Sequence, residues 1–281
     1  MKRGVAMEIS GKTALVTGAA SGIGRETTRL FAARGANLVL CDIDEAALTG
    51  IAKELEARGR LLLAERVDVA DRAAMAAFSE RIHRTVEAVD ILVNNAGVGV
   101  AGGFLDMPLD VWDWVLGINL TGVAHGCHFF IPPMIRRNRG GHVVNVSSIA
   151  GICASRHFSA YAATKFGVFG LSEALREELR SARIGVTTIC PAFVNTRIVE
   201  KTRAFGAEGE PENFAKVVAF YRRRNYAPRN VAQAIVRSVE RDRNRVVPVA
   251  FEAWLLYYLK RFFPGLMGPA IRLFERIIGL P

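Results

Sequence analysis

The sequence predicts a doubly wound α/β fold, a parallel sheet with helices on both faces. Three observations carry that prediction. Short β-branched runs alternate with longer segments whose apolar residues recur at helical spacing. The order is strand, then helix, repeated, and parallel neighbours need such crossovers. The chain has 281 residues, 51% of them hydrophobic and 23% charged, enough to bury one extended core.

Strands are expected at 13–18 (TALVTG), 37–42 (NLVLCD), 64–69 (AERVDV), 90–95 (DILVNN), 141–148 (GHVVNVSS), 185–191 (GVTTICP) and 245–250 (RVVPVA). Each is a short β-branched run ending near glycine, asparagine, serine or proline. Helical spacing fills 22–35, 44–58, 71–87, 110–138, 160–182 and 228–242. The stretch from Arg197 to Tyr226 shows no chemistry of its own. Residues 1–250 therefore read as one domain, and 251–281 as an amphipathic helical extension of it.

Composition narrows the function classes. The net charge is +10, with eight arginines between Arg222 and Arg245 against Glu240 and Asp242. No groove-reading motif accompanies them, so a solvated helix face is expected and nucleic acid is not. Cys41, Cys127, Cys153 and Cys190 are scattered without metal or redox spacing, as in small buried residues of a reducing cytoplasm. No signal-peptide pattern opens the chain, and no uncharged apolar run reaches the length of a membrane span.

The first strand runs into TGAASGIG, with Gly18, Gly22 and Gly24 where the next helix begins. Such a turn lets the backbone approach a pyrophosphate, whose charge the helix amino end stabilises. The second strand ends in LCDID, which puts Asp42 where a dinucleotide fold places the carboxylate that binds the adenosine ribose. A carboxylate there repels a 2′-phosphate, and Ser21 adds no positive charge, which favours NAD over NADP. Arg25 is the one nearby cation that argues otherwise.

Seven motifs then fall in register: TGAASGIG at 17–24, DV at 68–69, NNAG at 94–97, INLTG at 118–122, VSS at 146–148, YAATK at 161–165 and PAFVNT at 191–196. Over residues 9 to 249 the chain resembles the short-chain dehydrogenase/reductase family. That resemblance implies a Rossmann fold and a nicotinamide-dependent oxidoreductase assembled as a homodimer or homotetramer. It implies cofactor contacts from Gly18, Ser21, Gly22, Ile23 and Gly24, and from Asp42 with Ile43. Asp68 and Val69 are implied at the adenine, Asn94, Ala96 and Gly97 near the adenosine ribose, and Pro191, Val194 and Thr196 at the nicotinamide. Ser148 stands at the family's spacing, thirteen residues before Tyr161, and its neighbour Ser147 does not.

Tyr161 and Lys165 are one helical turn apart and share a face. A free phenol titrates near pH 10, and a neighbouring ammonium favours phenolate. Tyr161 is therefore expected as general acid/base, with Ser148 binding the substrate oxygen. The resemblance also implies that Lys165 holds the nicotinamide ribose and that Asn119 holds a proton-relaying water. Where the family usually has Pro-Gly, this chain has Pro191-Ala192, so a local backbone shift is expected. His125 and His128, three apart, are expected in packing rather than on a metal, and His157 at the substrate entrance.

The C-terminal segment departs from the family, which often ends in a glycine-rich stretch. Here Trp254, Leu255, Tyr258, Leu259 and Phe262 recur at helical spacing, Pro264-Gly265 interrupts, and a second amphipathic stretch carries Arg272 and Arg276. A lid over an apolar site, a peripheral membrane helix with Lys260 and Arg261 at headgroups, and an oligomer arm all fit that pattern. GHVVNVSS, TTICP and VVPVAFEAW are similar to a bacterial branch also found fused to epoxide hydrolases, which implies apolar or lipid-like alcohols and ketones. The expectation is thus an NAD-dependent alcohol dehydrogenase or ketone reductase. The alternative is a dinucleotide-binding, redox-sensing or membrane-associated scaffold without turnover.

Overall fold

In the computed structural model, which describes residues 7–242 and 244–278, the chain alternates strand and helix from its first element. The first half comprises β1 (Thr13–Thr17), α1 (Gly22–Ala33), β2 (Asn37–Asp42), α2 (Glu45–Glu56), β3 (Leu61–Arg66), α3 (Arg72–Thr85) and β4 (Ile91–Asn94). Next come β5 (Val100–Ala101), α4 (Leu109–Leu116), α5 (Gly122–Arg137), β6 (Gly141–Val146), α6 (Ser159–Glu178) and β7 (Ile184–Pro191). The remainder is α7 (Arg197–Glu200), β8 (Arg203–Ala204), α8 (Pro211–Arg224), α9 (Pro228–Glu240), β9 (Val246–Val249), α10 (Phe251–Phe262) and α11 (Met267–Ile278).

Seven strands form one sheet in the order β3-β2-β1-β4-β6-β7-β9, with all pairs parallel. The strand order reverses between β1 and β4, which opens a crevice at their carboxyl ends. On one face Leu30 and Phe31 of α1 pack with Val231 and Ile235 of α9. On the other, Phe78 of α3 meets Phe130 of α5 edge to face at 6.2 Å. Burial of each such side chain contributes about 2 kcal/mol, and both faces are covered, so that every residue of the central strands β1, β4 and β6 is buried.

Two expected elements shift. The strand placed at 64–69 begins at Leu61 and ends at Arg66. Val67 instead bonds back to the carbonyl of Asp42 at 3.0 Å, and Asp68 accepts from the N–H of Ala70 at 2.9 Å. That turn carries Asp68 and Val69 off the sheet toward the crevice. The helix expected over 110–138 is two α-helices joined by a π-helical turn at Gly117–Thr121. By length and composition Leu109–Arg137 is apolar enough to cross a membrane, unlike the expectation that no segment would be. Its apolar side is accounted for by core packing of Val111, Val115, Val123, Phe130 and Met134.

The stretch from Arg197 to Tyr226 contains α7, β8 and α8, and β8 pairs with β5 in a small second sheet. The C-terminal segment forms two helices that turn at a short 3-10 segment, Pro264–Leu266. Lys260 of α10 donates to the carbonyl of Ile152 at 2.6 Å and lies 4.3 Å from the Phe166 ring centroid. Its ammonium is therefore fastened to its own subunit rather than free for headgroups.

Candidate active site

At the end of β1 the chain turns at Gly18, where φ is +62° and a Cβ would stand 2.8 Å from the Cα of Ala96. A Cβ on Gly24 would lie 2.0 Å from the Gly18 carbonyl oxygen. These glycines draw the first turn of α1 against the strand end and leave its amino terminus facing the crevice. Asn95 secures the same corner by donating to the carbonyls of Thr17 and Gly18, both at 3.0 Å. Thr17 Oγ1 accepts from the main-chain N–H groups of Asn95 and Ala96 at 3.0 and 3.1 Å.

Asp42 closes β2, its two carboxylate oxygens accepting from the N–H groups of Ala20 at 2.9 Å and Asp44 at 3.0 Å. Those bonds aim the carboxylate into the crevice beside the exposed Ile43. Gly18, Ser21, Gly22, Ile23, Asp42, Ile43, Asp68, Val69, Ala96, Gly97, Pro191, Val194 and Thr196 all line one cavity of about 600 Å³ that also contains Ser148, Tyr161 and Lys165.

Three expected site residues lie behind that cavity. Asn94 is buried in β4 and turns its amide to Asn145 Oδ1 at 2.8 Å and Cys127 Sγ at 3.4 Å. Strand alternation sends consecutive side chains to opposite faces, so Asn95 lines the cavity in its place. Gly24 acts through close packing alone. Asn119 sits in the π-helical turn, fully buried, and clamps the backbone of Val98: its Oδ1 accepts from Val98 N–H at 2.8 Å and its amide donates to Val98 O at 2.9 Å. With both ends of its amide so engaged, the Asn119 side chain holds the Val98 backbone and is not part of the cavity wall.

Ser148, Tyr161 and Lys165 meet where β6 ends and α6 begins. Ser148 Oγ accepts from the N–H of Ala150 at 3.1 Å, which leaves its proton to donate. Ser147 is occupied elsewhere, donating to the carbonyl of Lys165 at 2.8 Å. The Lys165 ammonium lies 5.6 Å from the Tyr161 ring centroid and donates to Val146 O at 3.2 Å. Burial lowers its pKa to about 8, so it remains largely charged at neutral pH. The phenol departs from the sequence expectation: burial raises the Tyr161 pKa, and a hydrogen bond from Ser148 only partly opposes this. Desolvation of a phenolate outweighs the Ser148 hydrogen bond, and the resting side chain is a neutral phenol.

Beyond the phenol the cavity becomes apolar. Trp114 and Phe158 form one side, Phe214, Val217 and Tyr221 of α8 another, and Leu256 of α10 and Ile271 of α11 the roof. The α8 contribution was legible in principle, because Phe214, Val217 and Tyr221 recur at i, i+3 and i+7 after a proline at the first helical position. His157 does not line the entrance. It is buried, pairs through Nδ1 with Glu208, and places Nε2 3.8 Å from Glu275 of α11, so it ties the 3-10 turn at Gly206–Gly209 to the C-terminal helix.

Ala192, where the family favours glycine, is not among the positive-φ residues of the described chain, so its methyl adds no backbone strain. His125 is buried, bonding the Val69 carbonyl oxygen at 2.9 Å through Nδ1. Among the described residues no group of three or more His, Cys, Asp or Glu side chains has metal-binding geometry. Cys41, Cys127 and Cys190 are buried free thiols, and burial pushes Cys127 and Cys190 up to about 12, far from reactive thiolates.

A family model described as short chain dehydrogenase matches residues 12–206. The probable oxidoreductase EphD of Mycobacterium tuberculosis is 43% identical over 263 residues, covering 92% of this chain and 44% of that protein, so the chain spans less than half the length of that curated relative. The 3-oxoacyl-[acyl-carrier-protein] reductase FabG of Thermotoga maritima is 36% identical over 225 residues, covering 76% of this chain and 91% of that one. A short chain dehydrogenase/reductase from Burkholderia phymatum, solved in complex with NAD, superposes with a TM-score of 0.81 at 30% identity, covering 92% of this chain and 96% of that chain. With the glycine turn, the Ser148–Tyr161–Lys165 cluster and the family match over most of its length, the chain belongs to the short-chain dehydrogenase family.

Proposed function

We propose that this protein is an NAD-dependent dehydrogenase or reductase that interconverts a secondary alcohol and a ketone of apolar character. The observation that carries the proposal is one continuous cavity. It has the glycine turn and Asp42 at one end, Ser148, Tyr161 and Lys165 in the middle, and Trp114, Phe158, Phe214 and Leu256 at the other.

The residues present fit a nicotinamide dinucleotide. The close approach at Gly18, which a side chain would block, bares main-chain N–H groups for a pyrophosphate. Asp42 is suited to accept from the ribose hydroxyls, Asp68 and Val69 to flank the adenine, and Asn95, Ala96 and Gly97 to follow the adenosine ribose. Pro191, Val194 and Thr196 would border the carboxamide. Among the described residues Lys165 makes one hydrogen bond, to Val146 O, and an ammonium has two more N–H groups to offer the nicotinamide ribose. Bound there, the dinucleotide supplies or accepts the hydride.

The protein's own groups handle the proton. In reduction the neutral phenol of Tyr161 protonates the carbonyl oxygen as negative charge develops on it. Ser148, whose oxygen is occupied by Ala150 N–H, donates a second hydrogen bond to the same atom. The Asp42 carboxylate and the uncharged Ile43 disfavour a 2′-phosphate, which supports NAD over NADP. The FabG relative is named for reduction of a 3-oxoacyl group, in keeping with a ketone on an apolar chain. Exposed Phe104, Leu105 and Leu109 give an apolar face that supports assembly with further copies of this chain.

Initial rates with a panel of ketones and secondary alcohols, each with both dinucleotides, test the reading. Turnover should favour NAD and longer apolar substrates, and Tyr161→Phe should lose about a thousandfold in kcat while keeping dinucleotide affinity. No hydride transfer to any member of the panel would leave only a binding scaffold.

A further inference from the structure

We infer that the outer face of α10 and α11 is a docking surface for an anionic lipid bilayer. This surface is separate from the reaction proposed above and does not depend on it.

The two helices meet the rest of the chain with one side. Ala253 is buried, Leu256 and Ile271 roof the active-site cavity, and Glu275 Oε1 accepts from Ser155 Oγ at 2.6 Å. The opposite side carries large apolar groups into solvent. Leu255, Tyr258 and Phe262 recur at i, i+3 and i+7 on α10, Phe263 and Leu266 stand at the turn, and Leu273 follows on α11. Each is between 47% and 64% exposed, and apolar groups gathered in this way mark a contact surface, which scattered ones do not. The rings form a ladder along the helix: Tyr258 stacks on Trp254 with centroids at 5.6 Å and on Phe262 at 6.1 Å.

Charge separates a bilayer from other occupants of this face. From Phe251 to Ile278 the chain has two acidic residues, Glu252 and Glu275. Glu252 is paired with Arg224 at 2.6 Å and Glu275 is buried. Of the four cations in the same span, Lys260 is held by Ile152 O at 2.6 Å. Arg261, Arg272 and Arg276 are exposed, and none has a carboxylate partner among the described residues. The face is therefore apolar and cationic, with no free carboxylate. A second copy seated on it by two-fold symmetry would bring these arginines in from both sides with nothing to offset them. Headgroup phosphates do offset them, while leucines and aromatic rings enter the acyl boundary. The patch of Phe104, Leu105 and Leu109 differs in this respect, because the exposed Asp106 and Asp110 stand beside it.

Co-sedimentation of the full chain with vesicles of phosphatidylglycerol and of phosphatidylcholine tests the assignment. Wild type should partition at least about tenfold more strongly into phosphatidylglycerol, and added salt should reduce that margin. Phe262→Ser with Phe263→Ser should lower binding to phosphatidylglycerol by about tenfold. The triple variant Arg261→Gln, Arg272→Gln and Arg276→Gln should bind the two lipids alike, and Tm should stay unchanged in both variants. Wild type that fails to sediment with phosphatidylglycerol, or that binds both lipids equally, overturns the inference. So does a margin that survives in the arginine variant, or binding undiminished in the phenylalanine variant. Sedimentation velocity covers the remaining occupant. A wild-type dimer that the phenylalanine variant dissociates, with no vesicle binding, gives the face to a second copy and overturns the bilayer.

Discussion

Replacing Lys165 with methionine should stabilise the ligand-free protein at neutral pH. The residue is only 5% exposed, its ammonium makes a single hydrogen bond among the described residues, to Val146 O at 3.2 Å, and burial lowers its pKa from 10.5 to about 8. A lysine that binds its proton less tightly when folded costs stability wherever the unfolded chain remains protonated. Between pH values of about 8 and 10.5 the unfolded chain holds more protons, so stability rises with pH through that window. The full cost, present below it, is about 3 kcal/mol. It falls to about 2 kcal/mol near pH 9 and almost vanishes above about pH 10.5. Methionine keeps the unbranched stem and removes the charge, and losing the bond to Val146 returns about 1 kcal/mol. The net gain at pH 7 is then about 2 kcal/mol, or roughly 4 °C in Tm for a chain of this length. Differential scanning calorimetry at pH 7 and pH 10 reads both the gain and its disappearance. A variant less stable than wild type at pH 7, or one with the same gain at both pH values, would refute the reasoning.

Changing Asp42→Ala together with Ile43→Arg should raise the ratio of kcat/KM for NADPH over NADH by about a hundredfold, through lost repulsion and a new phosphate contact; an unchanged ratio in steady-state kinetics would count against Asp42 as the selector. His157→Ala leaves Glu208 and Glu275 buried without the ring that joins them, so it should cost about 3 kcal/mol and speed hydrogen exchange in α11; unchanged exchange there would mean that His157 does not fasten this helix. Ala250 starts α10 with φ +82° and ψ 157°, a region almost reserved for glycine. Ala250→Gly should therefore stabilise by about 1 kcal/mol, and a lower Tm would contradict that strain.

The sheet was legible because each central strand is a β-branched run punctuated by turn residues, and every core strand appears near its expected position. β3 slipped because Val67 and Val69 look like strand residues, although their place is decided by hydrogen bonds that follow from Asp42 and Asp68. In the site, Asp42, Ser148, Tyr161 and Lys165 could be found by spacing along the chain. Choosing Asn95 over Asn94 could not, because both are asparagines and only the direction of the strand pleat separates them. The roof of the cavity was the least readable part. Phe214, Leu256 and Ile271 reach it from three elements whose mutual placement depends on long-range contacts such as His157 with Glu208 and Glu275. Likewise Lys260, one of a basic pair in the sequence, is committed to Ile152 by a contact 108 residues away.

The same burial that costs Lys165 stability separates the pH dependence of binding from that of proton transfer. Tyr161 holds its proton more tightly than a free phenol, because burial exceeds the help it receives from Ser148. A neutral phenol is the form that donates in ketone reduction, so kcat for reduction at saturating dinucleotide should stay level from pH 6 to pH 9. Lys165 titrates lower, at about 8, and the ammonium is the group proposed to hold the ribose. Above that pH the KM for the dinucleotide should climb while kcat holds, and alcohol oxidation, which needs the phenolate, should gain with pH over the same range. Full pH profiles of kcat and KM in both directions would separate the two groups. A reduction kcat that falls with an apparent pKa between 6 and 8 would mean that Lys165 acidifies the phenol after all, and that burial does not set the resting state of the acid.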